Sequence, residues 1–230
     1  GETFTIIPSS GEHTLYNFTF VNGTLTVAQR PATVTAGNLT ITYGDVANLT
    51  EYEITGLLDG DSATVSLSTD YLAGSGVGEY AIVPHANNSN YAFTAVNGTL
   101  TVNPKDATVG VDSKTVTYGD ALPTLTITTT GVLAGDTLDY TFDHNYVAGA
   151  TGVGTVDVAV TLGENPNYNV TVLSAGAITV TKRNVTVTAD NKNVVYGDAV
   201  PSLTATVNNE VVGYPVIYTL GTTYTAGANA

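Results

Sequence analysis

The sequence predicts an all-β protein made of tandem small β-sandwich or β-grasp-like domains in a rod-like array. Thr, Val and Tyr, which favour pleated strands, are abundant, and Gly and Asn supply turns between them. Hydrophobic residues make up 43% of the chain and charged residues only 11%, which is enough apolar side chain to fill packed cores. The long stripes of Leu, Glu and Lys that are typical of helices are absent.

Two motifs recur along the chain. The triplet Tyr-Gly-Asp begins at Tyr43, Tyr118 and Tyr196, at spacings of 75 and 78 residues. A segment that ends in TLTV or ITV begins at Tyr16, Tyr91 and Tyr168. A fixed period of this size indicates an array of small domains.

The motifs divide the chain into two complete repeats and two halves. The complete repeats cover residues 31–105 and 106–183. Residues 1–30 (the head half) hold only the C-terminal part of a repeat, and residues 184–230 (the tail half) only the N-terminal part. Placed end to end, TYTAGANA and GETFTII resemble DYLAGSGVGEYAIV, with Gly1-Glu2 opposite Gly78-Glu79. We therefore expect the head half of a neighbouring copy, or covalent continuation of the same array, to complete the tail half.

Seven short alternating runs predict the strands of the first complete repeat, at 32–36, 39–44, 49–57, 64–72, 78–86, 91–96 and 98–104. Turns are predicted at DGDS, GSGVG, NNSN and NGT. Asn97-Gly98 and Asn22-Gly23 lie between alternating runs, a pattern that predicts β-hairpins. The junctions between repeats hold no Gly/Ser linker, so we expect stiff connections.

The net charge of −14 argues against nucleic acid and against anionic membrane surfaces as partners. Four of the six basic residues lie at the repeat junctions: Arg30, Lys105, Lys182 and Arg183. They either tether acidic neighbours or remain solvated edge charges, and the second reading is favoured because exposed ion pairs contribute little. There is no cysteine, and no apolar run is long enough to span a bilayer.

No constellation of residues predicts catalysis or a cofactor, so an enzyme is not expected. His13 and His85 are predicted to be turn residues. Asp59 and Asp61, with help from Asp45, are weak Ca²⁺ candidates, because the segment lacks the six to eight oxygens that a hard cation needs. In the Tyr-Gly-Asp triplet we expect the Tyr to pack, the Gly to turn the backbone and the Asp to accept backbone N–H bonds.

Asn-X-Ser/Thr sequons suit a secreted protein that carries glycans. The candidate N-glycosylation sites are Asn17, Asn38, Asn48, Asn87, Asn169 and Asn184. The sequons at Asn22 and Asn97 are interpreted first as hairpin residues.

The ordered motifs TYGD, GL..GD, VG.Y.I, NY and NGTLTV resemble the MBG-type domain (YGX variety) of bacterial and archaeal surface proteins. The resemblance covers both complete repeats, and the third once its halves are joined. It implies large secreted or wall-associated proteins in which such domains form stalks or adhesive arrays, and it implies no catalytic residues. The third repeat departs from the pattern, with NNEVVGYP in place of GLLDGDS.

The sequence therefore predicts an extracellular, cell-surface structural protein that forms a head-to-tail filament, sheath or stalk. Each half alone would expose an apolar sheet face and unpaired edges. The predicted self-assembly residues are Gly1, Glu2, Phe4, Ile6, Tyr16, Tyr196, Tyr224 and Ala230. The alternative is a segment of a long adhesin that binds glycans or host proteins. In that case Tyr71, Tyr146 and Tyr224 either stack on sugars or share a core role.

Overall fold

The computed structural model describes residues 1–228, which contain eighteen strands and no helix. The chain divides into two compact units, Gly1–Lys105 with Pro166–Asn169, and Asp106–Asn165 with the chain from Val170 onward. The predicted all-β class is confirmed. Each unit contains one half repeat and most or all of one complete repeat.

The head half, in the first unit, contributes two strands, β1 (Glu2–Ile6) and β2 (Gly23–Val27). They pair antiparallel with each other as a two-stranded sheet, with Phe4 opposite Leu25 and Ile6 opposite Gly23. The segment between them, which includes Tyr16, forms no strand.

Seven strands build the first complete repeat: β3 (Arg30–Ala36), β4 (Leu39–Thr42), β5 (Tyr52–Thr55), β6 (Thr64–Ser68), β7 (Gly78–Asn87), β8 (Tyr91–Val96) and β9 (Gly98–Asn103). They form a three-stranded sheet, β5-β3-β8, and a four-stranded sheet, β4-β9-β7-β6. The pairs β3–β8 and β4–β9 are parallel, and the other pairs are antiparallel. Each of the seven predicted runs overlaps one of these strands, although β3 begins before its run and β7 ends after it.

The core of this sandwich lies where the alternating inward side chains of its two sheets meet. Val34 of β3, Ile82 of β7 and Leu100 of β9 are each at most 2% exposed. Strand β3 alternates buried and half-buried positions, which is the period that a strand covered on one face requires.

The second complete repeat uses the same plan with β10 (Lys105–Val111), β11 (Lys114–Thr117), β12 (Ile127–Thr130), β13 (Tyr140–His144), β14 (Gly154–Leu162), β15 (Tyr168–Ser174) and β16 (Ala177–Thr181). Its sheets are β12-β10-β15 and β11-β16-β14-β13. Val111, Val116, Val158, Ile178 and Val180 belong to one buried cluster. The identical sheet order in both repeats confirms the tandem β-sandwich prediction.

The tail half, in the second unit, contributes β17 (Thr186–Ala189) and β18 (Ala205–Asn208). They pair antiparallel as a two-stranded sheet, with Val187 opposite Val207. By their distances from the Tyr-Gly-Asp triplet, they correspond to β3 and β5 of the first repeat.

Asn97-Gly98 does not form the predicted hairpin. The strands on either side of it belong to different sheets, since β8 pairs with β3 whereas β9 pairs with β4 and β7. Gly98 also lacks the positive φ that a two-residue hairpin turn needs. A Cβ at Gly98 would lie 2.2 Å from the carbonyl oxygen of Gly37, so this glycine permits a close approach of the backbone that connects β3 to β4.

Two further sequence expectations are wrong in detail. His85 lies in strand β7 opposite Ser66 rather than in a turn, while His13 does lie beside a turn and accepts the N–H of Leu15 at 3.1 Å. The alignment of Gly1-Glu2 with Gly78-Glu79 is one residue out of register. Glu2 pairs with Val27, and the counterpart of Val27 in the first repeat is Val102, which pairs with Gly78. Glu2 therefore corresponds to Gly78 and not to Glu79.

Candidate self-assembly site

The strands of the head half correspond to core strands of the complete repeats. In the β7–β9 pair, Tyr80 is opposite Leu100 and Ile82 is opposite Gly98. Since Phe4 is opposite Leu25 and Ile6 opposite Gly23, β1 corresponds to β7 and β2 to β9.

The apolar face that is buried in the complete repeats is open in the head half. Leu25 is 54% exposed whereas Leu100 is fully buried, and Ile6 is 54% exposed whereas Ile82 is 2% exposed. Every residue from 1 to 30 is exposed. The head half therefore presents a two-stranded piece of a sandwich core without the layer that covers it.

The tail half presents the complementary layer. Val187 of β17 is 38% exposed, whereas its counterparts Val34 and Val109 are buried. No residue between 184 and 228 is buried. Residues 192–195, the counterparts of β4 and β11, form no strand in the described structure.

The three Tyr-Gly-Asp triplets build the same tight turn. Gly44, Gly119 and Gly197 have φ of 90°, 91° and 89°, a region that suits the third residue of a type II turn. The Asp N–H bonds back to the carbonyl of the residue before the Tyr, at 3.0 Å for Asp45 and 2.9 Å for Asp120. The Asp45 carboxylate accepts the N–H of Thr42 at 3.1 Å. The Gly and the Asp thus have the roles that the sequence predicts, and Tyr43 packs as predicted, whereas Tyr196 is 66% exposed.

A second tyrosine stabilises each of these turns through a hydrogen bond from its hydroxyl. The hydroxyl of Tyr71 donates to the carbonyl of Asp45 at 2.7 Å, Tyr146 to that of Asp120 at 2.5 Å, and Tyr224 to that of Asp198 at 2.9 Å. Tyr71 and Tyr146 are buried. Their rings therefore belong to the core and offer no face on which a sugar could stack.

Arg183 connects the second complete repeat to the tail half inside the second unit. Its Nε donates to the carbonyl of Tyr118 at 2.7 Å, its Nη2 forms an ion pair with Asp120, and its Nη1 donates to Oδ1 of Asn209 at 2.9 Å. Its side chain is only 20% exposed. Arg183 therefore tethers the two neighbouring repeats, as one of the two alternatives predicts, and it is not a solvated edge charge. Arg30 makes a simpler contact, with Nε donating to the carbonyl of Gly56 at 3.0 Å.

A buried tyrosine site was not found from the sequence. Tyr91, at the start of β8, is 4% exposed, and its hydroxyl accepts the N–H of Leu58 at 2.9 Å and donates to the carboxylate of Asp61. The hydrogen bond with Asp61 raises the pKa of the Tyr91 phenol. The recurrence of Tyr16, Tyr91 and Tyr168 was the signal that could have located this site.

An apolar groove lies within the second unit, on the side of the tail half. It has a volume of about 260 Å³ and is lined by Tyr118, Arg183, Val185, Val211 and Tyr214, among others. The rings of Tyr118 and Tyr214 meet edge to face with centroids 6.0 Å apart. No sequence motif indicated this groove.

The predicted self-assembly residues of the two halves differ in position and exposure. Glu2, Phe4 and Ile6 lie in β1, with Gly1 just before it, and Tyr16 and Tyr196 are 68% and 66% exposed. Tyr224 is half-buried at the turn of Asp198. Ala230 lies outside the described residues.

The weak Ca²⁺ candidates do not form a shared site. Asp45 is engaged by Thr42 and Asp61 by Tyr91, and in residues 1–228 no three carboxylates or imidazoles cluster as a metal site would require. All six predicted N-glycosylation residues are exposed: Asn17, Asn38, Asn48, Asn87, Asn169 and Asn184. The described residues also contain no helix long and apolar enough to cross a membrane.

Comparisons with known proteins identify the repeats. The family described as the MBG domain (YGX type) matches residues 32–101 and 107–179. No curated protein matches the chain. Among solved structures, the Drosophila N-cadherin EC1-4 fragment is similar over 89% of this chain and 67% of that chain, at 11% identity and a TM-score of 0.28.

Proposed function

Because the chain belongs to the MBG domain (YGX type) family, we propose that it is an extracellular structural protein of the cell surface. In this proposal its tandem β-domains form a head-to-tail filament, sheath or stalk. The partner is a second copy of the chain, and the head half of one copy completes the tail half of the next. The proposal assigns no reaction and no cofactor to the chain.

One observation carries the proposal: the two halves expose the two complementary layers of one sandwich. Leu25 and Ile6 of the head half, and Val187 of the tail half, are counterparts of the most buried residues of the complete repeats. Exposed apolar sheet faces and open strand edges are interaction surfaces, and addition of strands from another chain satisfies both.

The complete repeats specify the strand pairs of the completed domain. In β3–β8, Arg30 pairs with Tyr91 and Val34 with Ala95. The corresponding pairs join Arg183 to Tyr16 and Val187 to Phe20 of the second copy. In β4–β9, Leu39 pairs with Leu100, and the corresponding pair joins Lys192 to Leu25. The completed domain would have the three- and four-stranded sheets of its neighbours.

The exposed apolar side chains of the two halves favour such an association. Burying the remaining half of a large apolar side chain contributes on the order of 1 kcal/mol. Association costs about 4–15 kcal/mol of translational and rotational freedom, so several such side chains are needed. The two halves supply at least seven that are between 37% and 54% exposed and whose counterparts in the first repeat are buried or half-buried: Phe4, Ile6, Phe18, Leu25, Val27, Val185 and Val187.

A contact of this kind is heterologous, so it generates an open chain of subunits. Light scattering over a range of concentrations tests the proposal. We expect the mass to grow with concentration, and Leu25→Asp, on the core face of β2, to hold the chain as a monomer. Thr26→Asp, which adds the same charge on the opposite face of β2, is the matched control and should still assemble. A native chain that stays monomeric at high concentration would refute the proposal.

Covalent continuation of the same array would complete the tail half in the same way. The intact mass of the protein from its source separates the two arrangements. A mass near 23.6 kDa supports assembly from separate copies, and a mass several-fold larger supports a continuous polypeptide.

A further inference from the structure

The groove beside Tyr118 is lined by residues whose positions in the repeat correspond to those that bind Tyr91 in the first repeat. In the first repeat, Leu58 and Asp61 bind the hydroxyl of Tyr91. These two residues follow the Tyr of their Tyr-Gly-Asp triplet by 15 and 18 positions. Val211 and Tyr214 stand at the same distances after Tyr196, and both line the groove.

The strand register identifies the same groove. Tyr91 pairs with Arg30 at the start of the parallel β3–β8 ladder. Arg183 occupies the position of Arg30 before β17, and it also lines the groove. The residue that corresponds to Tyr91 in the split repeat is Tyr16, which is 68% exposed.

The turn before Tyr16 already has the form of the turn before Tyr91. In the first repeat, the N–H of Asn90 bonds to Oδ1 of Asn88 at 3.0 Å, and the N–H of Tyr91 bonds to the carbonyl of Asn88 at 3.1 Å. In the head half, the N–H of Leu15 bonds to Nδ1 of His13 at 3.1 Å, and the N–H of Tyr16 to the carbonyl of His13 at 3.5 Å. His13 thus replaces Asn88, and Tyr16 is held in a preformed turn.

Tyr118 supplies the remaining contact. Within the first unit, the ring of Tyr43 meets the ring of Tyr168 edge to face, with centroids 5.4 Å apart. Tyr43 belongs to the triplet of one repeat, and Tyr168 is the counterpart of Tyr91 and Tyr16 in the next repeat. Tyr118 is the triplet tyrosine of the repeat that precedes the split one. Aromatic pairs of this geometry contribute about 0.5–1.5 kcal/mol beyond their buried area.

We infer that the groove lined by Tyr118, Arg183, Val211 and Tyr214 is the binding site for Tyr16 of a second copy. This inference rests on the proposed end-to-end completion and names its anchor residue. The ring of Tyr16 packs against the edge of Tyr118, and its hydroxyl accepts the N–H of Val211, as Tyr91 does from Leu58. Tyr214 occupies the sequence position of Asp61, which accepts the hydrogen bond of the Tyr91 hydroxyl in the first repeat. In the completed site an aromatic contact therefore replaces a hydrogen bond to a carboxylate.

The test uses the absence of tryptophan from the chain. Tyr16→Trp introduces a single indole, whose emission should shift to the blue as the concentration rises and copies associate. Tyr52→Trp places the indole on β5, where the native side chain is 49% exposed, and its emission should not shift. Adding Tyr118→Ala to Tyr16→Trp should remove most of the shift.

Association constants from sedimentation of the tryptophan-free chain give a second measurement. Tyr16→Ala should weaken association about tenfold or more, as truncation of a buried aromatic anchor does, and Tyr16→Phe should weaken it less. If the native chain polymerises but Tyr16→Ala polymerises equally well, this inference is wrong and the proposed function stands. If the native chain does not associate at all, both are wrong.

Discussion

At the scale of single residues, two corresponding glycines distinguish a packing contact within one copy from a proposed contact between copies. Gly98 and Gly23 occupy the same place before TLTV. A Cβ at Gly98 would meet the carbonyl oxygen of Gly37 at 2.2 Å, whereas at Gly23 the nearest atom is Cβ of Ile6 at 3.6 Å. The close neighbour of Gly98 is backbone of the β3–β4 connection, and the corresponding connection for Gly23 would come from the tail half of another copy.

We therefore expect Gly98→Ala to destabilise the first repeat by about 2 kcal/mol, within the range for strained core changes. Gly23→Ala should leave the free energy of unfolding of the isolated chain unchanged and should block association. Urea unfolding combined with sedimentation velocity measures both effects. Normal assembly of Gly23→Ala would contradict the proposed packing.

The buried phenol of Tyr71 makes the first repeat sensitive to alkali. Burial disfavours the phenolate and raises the pKa of Tyr71 above its ordinary value. Because the folded state holds this proton more tightly than the unfolded state, the stability is fully present below about pH 10 and declines above it.

Urea midpoints measured between pH 8 and pH 11 should fall for the native chain. Tyr71→Phe removes the titrating group and its bond to Asp45, so it should lower the stability at pH 8 by about 1 kcal/mol and flatten the decline above pH 10. A decline as steep as that of the native chain would show that another group is responsible.

At the scale of elements, the β17–β18 pair ends next to a residue in the left-handed region. Asn209 has φ of 67°, and the corresponding positions in the complete repeats are Gly56 and Gly131, at 90° and 78°. Asparagine tolerates this conformation better than other side chains with a Cβ. Here it also donates from Nδ2 to the carbonyl of Asn184 at 2.7 Å and accepts from Arg183.

Substitutions at Asn209 should therefore follow a defined order. Asn209→Gly keeps the backbone conformation but loses both side-chain hydrogen bonds, and Asn209→Ala adds about 1–2 kcal/mol of left-handed strain. Amide hydrogen exchange in Thr186–Ala189 should be slowest in the native chain, faster in Asn209→Gly and fastest in Asn209→Ala. Equal exchange in the two variants would mean that the backbone conformation is unimportant there.

The strands and their turns were accessible from the sequence, because alternation and the Tyr-Gly-Asp turn depend on neighbours in the chain. The partner of each strand was not. Asn97-Gly98 has a local hairpin signal, yet β8 and β9 enter different sheets through contacts with β3 and β4 some 60 residues away. The one-residue register error at Glu2 has the same origin, because only the pairing with Val27 fixes it.

At the scale of the whole molecule, the repeats predicted the split domain, but its contacts required the structure. Periodicity alone identified the two halves and the exposed residues Phe4, Ile6 and Tyr16. The groove that includes Tyr118 and Val211 could not be found in this way, since it joins residues from separate repeats. Comparison of a complete repeat with an incomplete one then indicates the occupant of the groove.

The proposed filament requires the head half of one copy to complete the tail half of another. Two singly blocked variants test this requirement. Gly23→Ala blocks the head half, and Val187→Asp blocks the tail half by placing a charge where the counterparts Val34 and Val109 are buried. Each variant keeps one functional end, so neither can polymerise alone.

Sedimentation velocity of the two variants, alone and mixed, is the decisive measurement. We predict a monomer of 23.6 kDa for each variant alone and a one-to-one dimer in the mixture, because only one productive pair of ends remains. A mixture that stays monomeric while the native chain associates, or a variant that associates fully by itself, would contradict completion of the split repeat between copies.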